Sequence, residues 1–280
     1  MNKVVEKSNM GLKKLQRGNW STFLLALIGF VSFIIVWFVL SRLMGEFRLP
    51  DPITVIRELF VTATESQIIA YQGAGNGGFL PHILVTTQRY ALGTISGIAL
   101  ALVMLALCFR FVRLLKFLTP ITDILKAIPP LATVPFLILW FGPTLISIMF
   151  VTIFYTYITV FIAGIEAFRR IDPVCMNFAQ TLGASKNTIA FRVVFPQLFP
   201  ALAGPIRVSA IASWGLVVVG EQLGIASGIG RIINAFASVY MISLIMVAIV
   251  WVLIMALVSE AIISLIIGYF TRWVPKVPSV

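Results

Sequence analysis

Continuous apolar runs separated by short polar segments dominate this chain. They fall at residues 21–44, 83–109, 117–141, 144–168, 201–220 and 241–270. About 20 consecutive apolar residues in a helix cover the hydrocarbon core of a bilayer, so each run is read as a spanning helix. A barrel strand would alternate apolar and polar positions over about 10 residues, which these runs do not do. The pattern predicts an all-α membrane protein of about six transmembrane helices. The third run is interrupted by Pro120, Pro129, Pro130 and Pro135, each lacking a backbone donor, so it must kink or split. The freed carbonyls need protein or water, which places the segment against neighbouring helices, beside a translocation path, or both. After the first run, Asp51 can cap a helix that Pro52 begins and whose Ile53, Ile56 and Phe60 share one face. A short amphipathic helix is expected there, followed by a flexible glycine-rich connector over 73–78.

One long polar interruption stands out, from Phe168 to Pro200. Asp172-Pro173 is a helix start, residues 174–182 form a short helix, and Gly183 is its stop, since glycine enters the left-handed cap cheaply. A second helical segment runs from Ser185 to Pro196 and Pro200. Phe178, Leu182, Ile189 and Phe191 are its candidates for burial. A short rigid helix of this kind, docked in a groove, moves with the groove.

The composition agrees with the pattern. Of 280 residues, 60% are hydrophobic and 11% charged, with a mean hydropathy of +1.03; a soluble domain carries roughly a quarter charged residues. This leaves room for a tail over 1–20, one membrane domain over 21–270 with the polar loop at 169–200, and a tail over 271–280. The net charge of +11 is spread over helix ends rather than gathered in a nucleic-acid-binding patch. With the N-terminus inside, fourteen cations are cytoplasmic: Lys3, Lys7, Lys13, Lys14, Arg17, Arg110, Arg113, Lys116, Arg169, Arg170, Lys186, Arg192, Arg272 and Lys276. Five fall outside: Arg42, Arg48, Arg57, Arg89 and Arg231. The bias puts both termini in the cytoplasm, and Trp20, Trp140 and Trp273 fall at interfaces. Cys108 lies in an apolar run and Cys175 in the polar loop, which argues against a disulfide. The first run is too long for a signal peptide and lacks a small-residue cleavage site, so it is read as a retained helix.

Candidate chemistry is sparse. No phosphate-binding glycine loop with its Lys is present, so the chain is not expected to hold ATP. The single histidine, His82, reads as a boundary residue, and no spacing suggests a metal site or a catalytic set. The titratable residues within the runs are Asp123, Lys126, Glu166, Arg207, Glu221 and Glu260. Asp123 and Lys126 are spaced for a local ion pair, Glu166 and Arg207 for snorkelling or pairing, and Glu260 for a polar tie between helices. Glu221 is expected to pair with Arg231 or Arg89 at the outer mouth, in preference to contacting solute. Ser209, Ser213 and Trp214, with Arg89 and Glu221, are the candidates for lining a path. Gly93 and Gly97 form a small face, read as internal packing before a dimer contact. An ion-coupled secondary transporter or channel is the competing class, since such carriers use intramembrane titratable groups.

The polar loop resembles that of the membrane permease subunits of binding-protein-dependent ABC importers. That signature reads Glu-Ala-Ala, three residues, Gly, then about nine residues to Ile/Val-x-Leu-Pro. It corresponds here to Asn177-Phe178-Ala179, Gly183 and Val194-Phe195-Pro196. Six further stretches, in order, are similar to the nitrate/sulfonate/taurine/bicarbonate branch. They are Leu49-Pro50-Asp51-Pro52, Arg89 with Gly93 and Gly97, and Ala127-Ile128-Pro129-Pro130-Leu131. Leu137-Ile138-Leu139-Trp140-Phe141-Gly142, Thr181-Leu182-Gly183-Ala184-Ser185 and Glu221-Gln222-Leu223-Gly224 complete the set. The resemblance implies a non-catalytic permease in the bacterial inner membrane, working as two copies (or as two related chains) with an outer solute-binding protein and a cytoplasmic ATPase dimer. That partner would hold ATP and Mg, with no cofactor on this chain. It further implies alternating access for a small solute such as a sulfonate, taurine, nitrate, bicarbonate or a pyrimidine precursor. The ATPase-coupling residues it implies are Asn177, Phe178, Ala179, Leu182, Gly183, Ala184, Ser185, Lys186 and Pro196. The chain departs from the signature at Asn177, where a glutamate is usual, and at Phe178. Docking then leans on shape, on burial of Phe178, and on Arg169, Arg170, Lys186 and Arg192.

Overall fold

A computed structural model describes the backbone of residues 2–73, 75 and 77–274, and the side chains of these except 2–19, 21 and 186. The cations from Lys3 to Arg17, part of the glycine connector, the side chain of Lys186, and Lys276 with the rest of the C-terminal tail lie outside the described residues.

The elements in chain order are α1 (Asn2–Met44), α2 (Pro52–Val61), α3 (Gln67–Tyr71), α4 (Leu80–Arg110), α5 (Val112–Leu125), α6 (Pro130–Phe141) and α7 (Leu145–Arg169). Then come α8 (Pro173–Thr181), α9 (Lys186–Ile189), a π-helical turn (Ala190–Val194), α10 (Phe195–Gln222), α11 (Ile229–Ser238) and α12 (Ile242–Phe270). Among the described residues every regular element is helical, as the apolar runs require. Five helices are long and apolar enough to cross a membrane, and α5 with α6 forms a sixth, bent by 95°.

The break between α5 and α6 lies at Pro129-Pro130. A proline pushes the residue before it out of the helical region, and Pro129 is extended at ψ 119°. Pro120 and Pro135 sit inside α5 and α6 without breaking them. The bent pair still joins opposite ends of the bundle. Its start follows Arg110, beside the end of α7, whereas Pro143 just after it lies against Gly224 at the other end.

Helices α4 and α7 run side by side in the same direction. A Cβ on Gly93 would come within 2.8 Å of Thr152, and one on Gly97 within 2.7 Å of Thr156. Two glycines four apart therefore receive two threonines four apart, and the small face is internal packing. Helix α10 runs antiparallel to α7, with Gly220 against Ile148 and Ser213 Oγ 3.2 Å from Thr156 Oγ1. The end of the bundle away from the polar loop is closed by α2, α3 and α11. Val55, Ile69, Phe79, Ile229, Ile232 and Phe236 form one buried cluster there with Val247 of α12. Asp51 caps α2 by accepting from the Thr54 amide at 2.6 Å, as its position before Pro52 predicts. Helix α1 is held near its end, where the Trp37 indole donates to the Pro50 carbonyl and Ser41 Oγ to that of Leu49.

The expected start of the fifth span and the expected end of the loop segment at Pro196 and Pro200 are corrected. The fifth apolar helix does not begin near residue 201 but continues from the polar loop, helical from Asn187 to Gln222. Pro196 and Pro200 do not stop it, because Pro196 falls in the first turn of α10 and the turn before it widens. The Phe195 amide reaches back five residues to the Ala190 carbonyl, a π turn of the kind that absorbs local mismatch in a helix. The stretch between the fifth and sixth spans carries a further helix, α11. The helix before Gly183 is separate from the segment after Ser185, as expected, and that second segment merges into α10. Ile189 is buried, whereas Phe178, Leu182 and Phe191, the other candidates for burial, are exposed in this chain.

Candidate functional site

The polar loop is built as a rigid corner. Asp172 Oδ1 accepts from the Val174 amide at 2.8 Å, and Pro173 occupies the first helical position of α8. At the other end Gly183 adopts φ +77°. Its amide donates to the Gln180 carbonyl at 2.9 Å and that of Ala184 to Ala179 at 3.0 Å, the paired bonds of a Schellman stop. Ser185 then caps the next turn, its Oγ accepting from the Thr188 amide at 3.2 Å. One side of the loop is bolted to the bundle. Ile171, Ile189, Val194 and Leu198 are buried together with Phe109 of α4 and Phe168 of α7, whose rings meet edge-on at 5.7 Å.

The other side is bare. Val174, Phe178 and Leu182, spaced by four along one helix face, are 67%, 66% and 72% exposed, and Phe191 is 70% exposed. Phe178 and Leu182 border an open groove of about 760 Å³ lined by Cys175, Arg192, Pro196 and Trp273 as well. Of the residues implicated in coupling, Asn177, Phe178, Leu182, Gly183 and Ser185 are exposed, while Ala179, Ala184 and Pro196 are half-buried. Arg169, Arg170 and Arg192 are exposed around them.

At the opposite end a buried polar knot ties α4, α10 and α11. Arg89 Nη1 donates to Glu221 Oε1 at 2.6 Å and to the Ser227 carbonyl at 2.7 Å, while Nη2 donates to Ser227 Oγ at 2.8 Å. Glu221, fully buried, also accepts from Thr86 Oγ1 at 2.9 Å and from the Gly230 amide at 3.0 Å. The Ile229 amide donates to Thr86 Oγ1 and the Gly228 amide to His82 Nδ1, so the opening amides of α11 are met by side chains from α4 and α10. Gly228, at φ +109°, lies against the Glu221 carboxylate where any Cβ would collide. Of the two candidate partners of Glu221, the structure brings up Arg89 and not Arg231.

Ser209, Ser213 and Trp214 are buried within the chain, as are Arg89 and Glu221. Ser209 and Ser213 donate to carbonyls of their own helix. Trp214 donates to Ser259 Oγ at 3.0 Å and stacks on Tyr90 at 4.2 Å. The expected local pair of Lys126 with Asp123 forms at 2.6 Å on the surface. Glu260 ties to Arg207 at 3.6 Å, an interhelical pair that the sequence did not match up.

The model of the family described as binding-protein-dependent transport system inner membrane component matches residues 93–276. The chain is 26% identical to a nitrate import permease protein of Synechococcus elongatus, covering 72% of each chain. It is 27% identical to a putative aliphatic sulfonates transport permease protein of Bacillus subtilis, covering 71% of this chain and 69% of that one. It is also 25% identical to a probable ABC transporter permease protein of Brucella melitensis over 89% of this chain and 96% of the other. Among solved structures, the MetNI methionine ABC transporter in inward-facing conformations aligns with a TM-score of 0.58 at 17% identity. The match covers 74% of this chain and all of that one. An amino acid ABC transporter solved with histidines aligns with a TM-score of 0.51 at 18% identity, over 70% of this chain and 94% of that one. These structures share the fold, and the family match spans well over half the sequence. The chain belongs to the binding-protein-dependent transport system inner membrane components, the multi-pass permeases of ABC transporters.

Proposed function

We propose that this permease is the non-catalytic membrane subunit of an ATP-driven importer in the bacterial inner membrane. It works as a homodimer with a cytoplasmic ATPase dimer and an outer solute-binding protein. The single permease domain is residues 21–270, with the polar loop at 169–200 and tails over 1–20 and 271–280 facing the cytoplasm with it. The observation that carries this reading is the two-sidedness of the loop. Its bundle side is locked by Ile171, Ile189 and Leu198, while Val174, Phe178 and Leu182 stand bare, Phe178 and Leu182 beside a groove. Three large apolar side chains in a row on a capped helix at an aqueous face favour burial against a partner, each by about 1.5–3 kcal/mol. Because α10 grows directly from the loop, a push on α8 passes into a helix crossing the whole bundle. ATP and Mg bind in the partner, and their closure would tilt the spans between inward-open and outward-open arrangements.

The solute we propose is a small anion, the class named for the nitrate and aliphatic sulfonate permeases to which the chain is similar. Affinity purification of the tagged chain from its native membranes should retain an ATPase subunit with a phosphate-binding loop. The complex should then hydrolyse ATP faster when nitrate or an alkanesulfonate is presented on its binding protein. Recovery of the chain alone, with proton-driven uptake in membranes lacking any ATPase, would favour a secondary transporter instead.

A further inference from the structure

Near the middle of α10, Arg207 faces Glu260 of α12. Arg207 Nε lies 3.6 Å from Glu260 Oε1, and Nη2 donates to Ser264 Oγ at 2.9 Å. The two side chains remain 39% and 29% exposed at the chain's surface. Arg207 Nε and Glu260 Oε2 lack a hydrogen-bond partner. Behind the pair Tyr90 is 6% exposed and stacks on Trp214, which reaches Ser259 beside Glu260. The buried Tyr90 hydroxyl also has no partner.

Charges at membrane depth face a bundle interior or a water-filled cavity, because lipid offers them no hydrogen bonds. The pair opens outward from this chain, so the surface there is not a lipid surface. The neighbouring exposed positions of α10 are small or short: Gly204, Val208, Ile211 and Gly215. A Cβ at Gly204 or Gly215 would meet nothing within 4 Å. Gly204 and Gly215 thus leave open space on this face of α10, with the exposed Val208 and Ile211 between them.

We infer that the α10–α12 face around Arg207 lines the solute path, and that Arg207 is the residue that contacts the anionic group of the passing solute. Glu260 and Ser264 hold the guanidinium in place, with Nε turned inward towards Glu260 and the rest of the side chain left partly open on this face. This inference rests on the chain being a permease for a small anion. The path candidates on the other side of α10, Ser209, Ser213 and Trp214, are turned into the chain's own packing.

Single cysteines at Val208, Ser264 and, as an exposed apolar control on α4, Ile95 test it in the full chain, in membrane vesicles, on a Cys175→Ser background with the buried Cys108 retained. Each is treated with a charged, membrane-impermeant methanethiosulfonate, either a sulfonate or a trimethylammonium reagent. Modification at Val208→Cys and Ser264→Cys but not at Ile95→Cys is expected. At Val208→Cys, Arg207→Gln should lower the ratio of sulfonate to trimethylammonium rates roughly tenfold, and Arg207→Lys should restore most of it. Absence of labelling at both positions, or a ratio unchanged in Arg207→Gln, would overturn the inference. So would rapid disulfide formation at Val208→Cys between two copies with no labelling, which would make the face a closed subunit contact. The labelling needs neither ATPase nor solute. A negative result alongside intact ATP-driven uptake therefore overturns this inference alone, and loss of wild-type uptake bears on the permease reading.

Discussion

Glu221 is an anion that the chain supplies to the start of its own helix α11. Its carboxylate meets Arg89, Thr86 and the Gly230 amide in a fully buried setting, so removing it strands the Arg89 guanidinium. Breaking a buried pair from one side costs about 3–5 kcal/mol. Glu221→Ala should therefore lower the thermal stability of the purified permease sharply, while Arg231→Ala should leave it nearly unchanged; equal effects would contradict the pairing. Asp51 is a smaller case outside the spans. The hydrogen bond from the Thr54 amide holds its carboxyl below the ordinary value of 3.8. Its folded value is depressed, so its stabilisation is complete above 3.8 and fades as pH falls through the folded value. Asp51→Ala should lose about 1 kcal/mol of α2 stability near neutral pH. Hydrogen exchange in α2 should show that difference shrinking as pH drops below 3.8. The caps at Asp51, Asp172 and Gly183 were legible in the sequence because each is a contact within a few residues. The choice of Arg89 over Arg231 was not, since it depends on 132 residues of intervening chain and the relative rotation of two helices.

The spans were legible from apolar length, and the break in the third from its prolines. Which prolines act was not, because Pro120 and Pro135 lie inside unbroken helices and the chain turns by 95° at Pro129-Pro130. The burial of Ser209 and Ser213 was equally hidden. Almost every position of an apolar helix tolerates either lipid or protein, so the sequence carries little record of which way the helix faces. Close approach of α4 and α7 does leave a record, the glycines four apart. Gly97→Val would drive its side chain into Thr156 and the Ile153 carbonyl. It should cost several kcal/mol, read as loss of folded protein after detergent extraction, and Gly215→Ala on the open face should not. The loop offers the converse test. Nothing crowds Gly183, so Gly183→Val meets only the left-handed backbone penalty of about 1–2 kcal/mol at φ +77°. It should leave the inserted bundle intact and sever ATP hydrolysis from uptake; normal coupling would show that the stop of α8 does not matter.

At the scale of the molecule, the two ends of the bundle are built differently. The far end is closed by the Arg89–Glu221 knot and the packing of α2, α3 and α11. The loop end leaves an apolar row uncovered and joins it without a break to α10. Such a shape suits a lever worked from one side by a partner. Asn177 gives the loop no carboxylate at the usual place, so in the proposed coupling Phe178 and Leu182 make the grip. The most direct test is uptake into sealed vesicles holding the chain with its co-purified ATPase, comparing wild type with Phe178→Asp/Leu182→Asp. Wild-type vesicles should take up solute only with ATP on the cytoplasmic side, and the double variant should insert normally yet lose both the ATPase and the uptake. Equal ATP-driven uptake by the two would contradict coupling through this surface, and uptake driven by a proton gradient without ATP would contradict the importer mechanism itself.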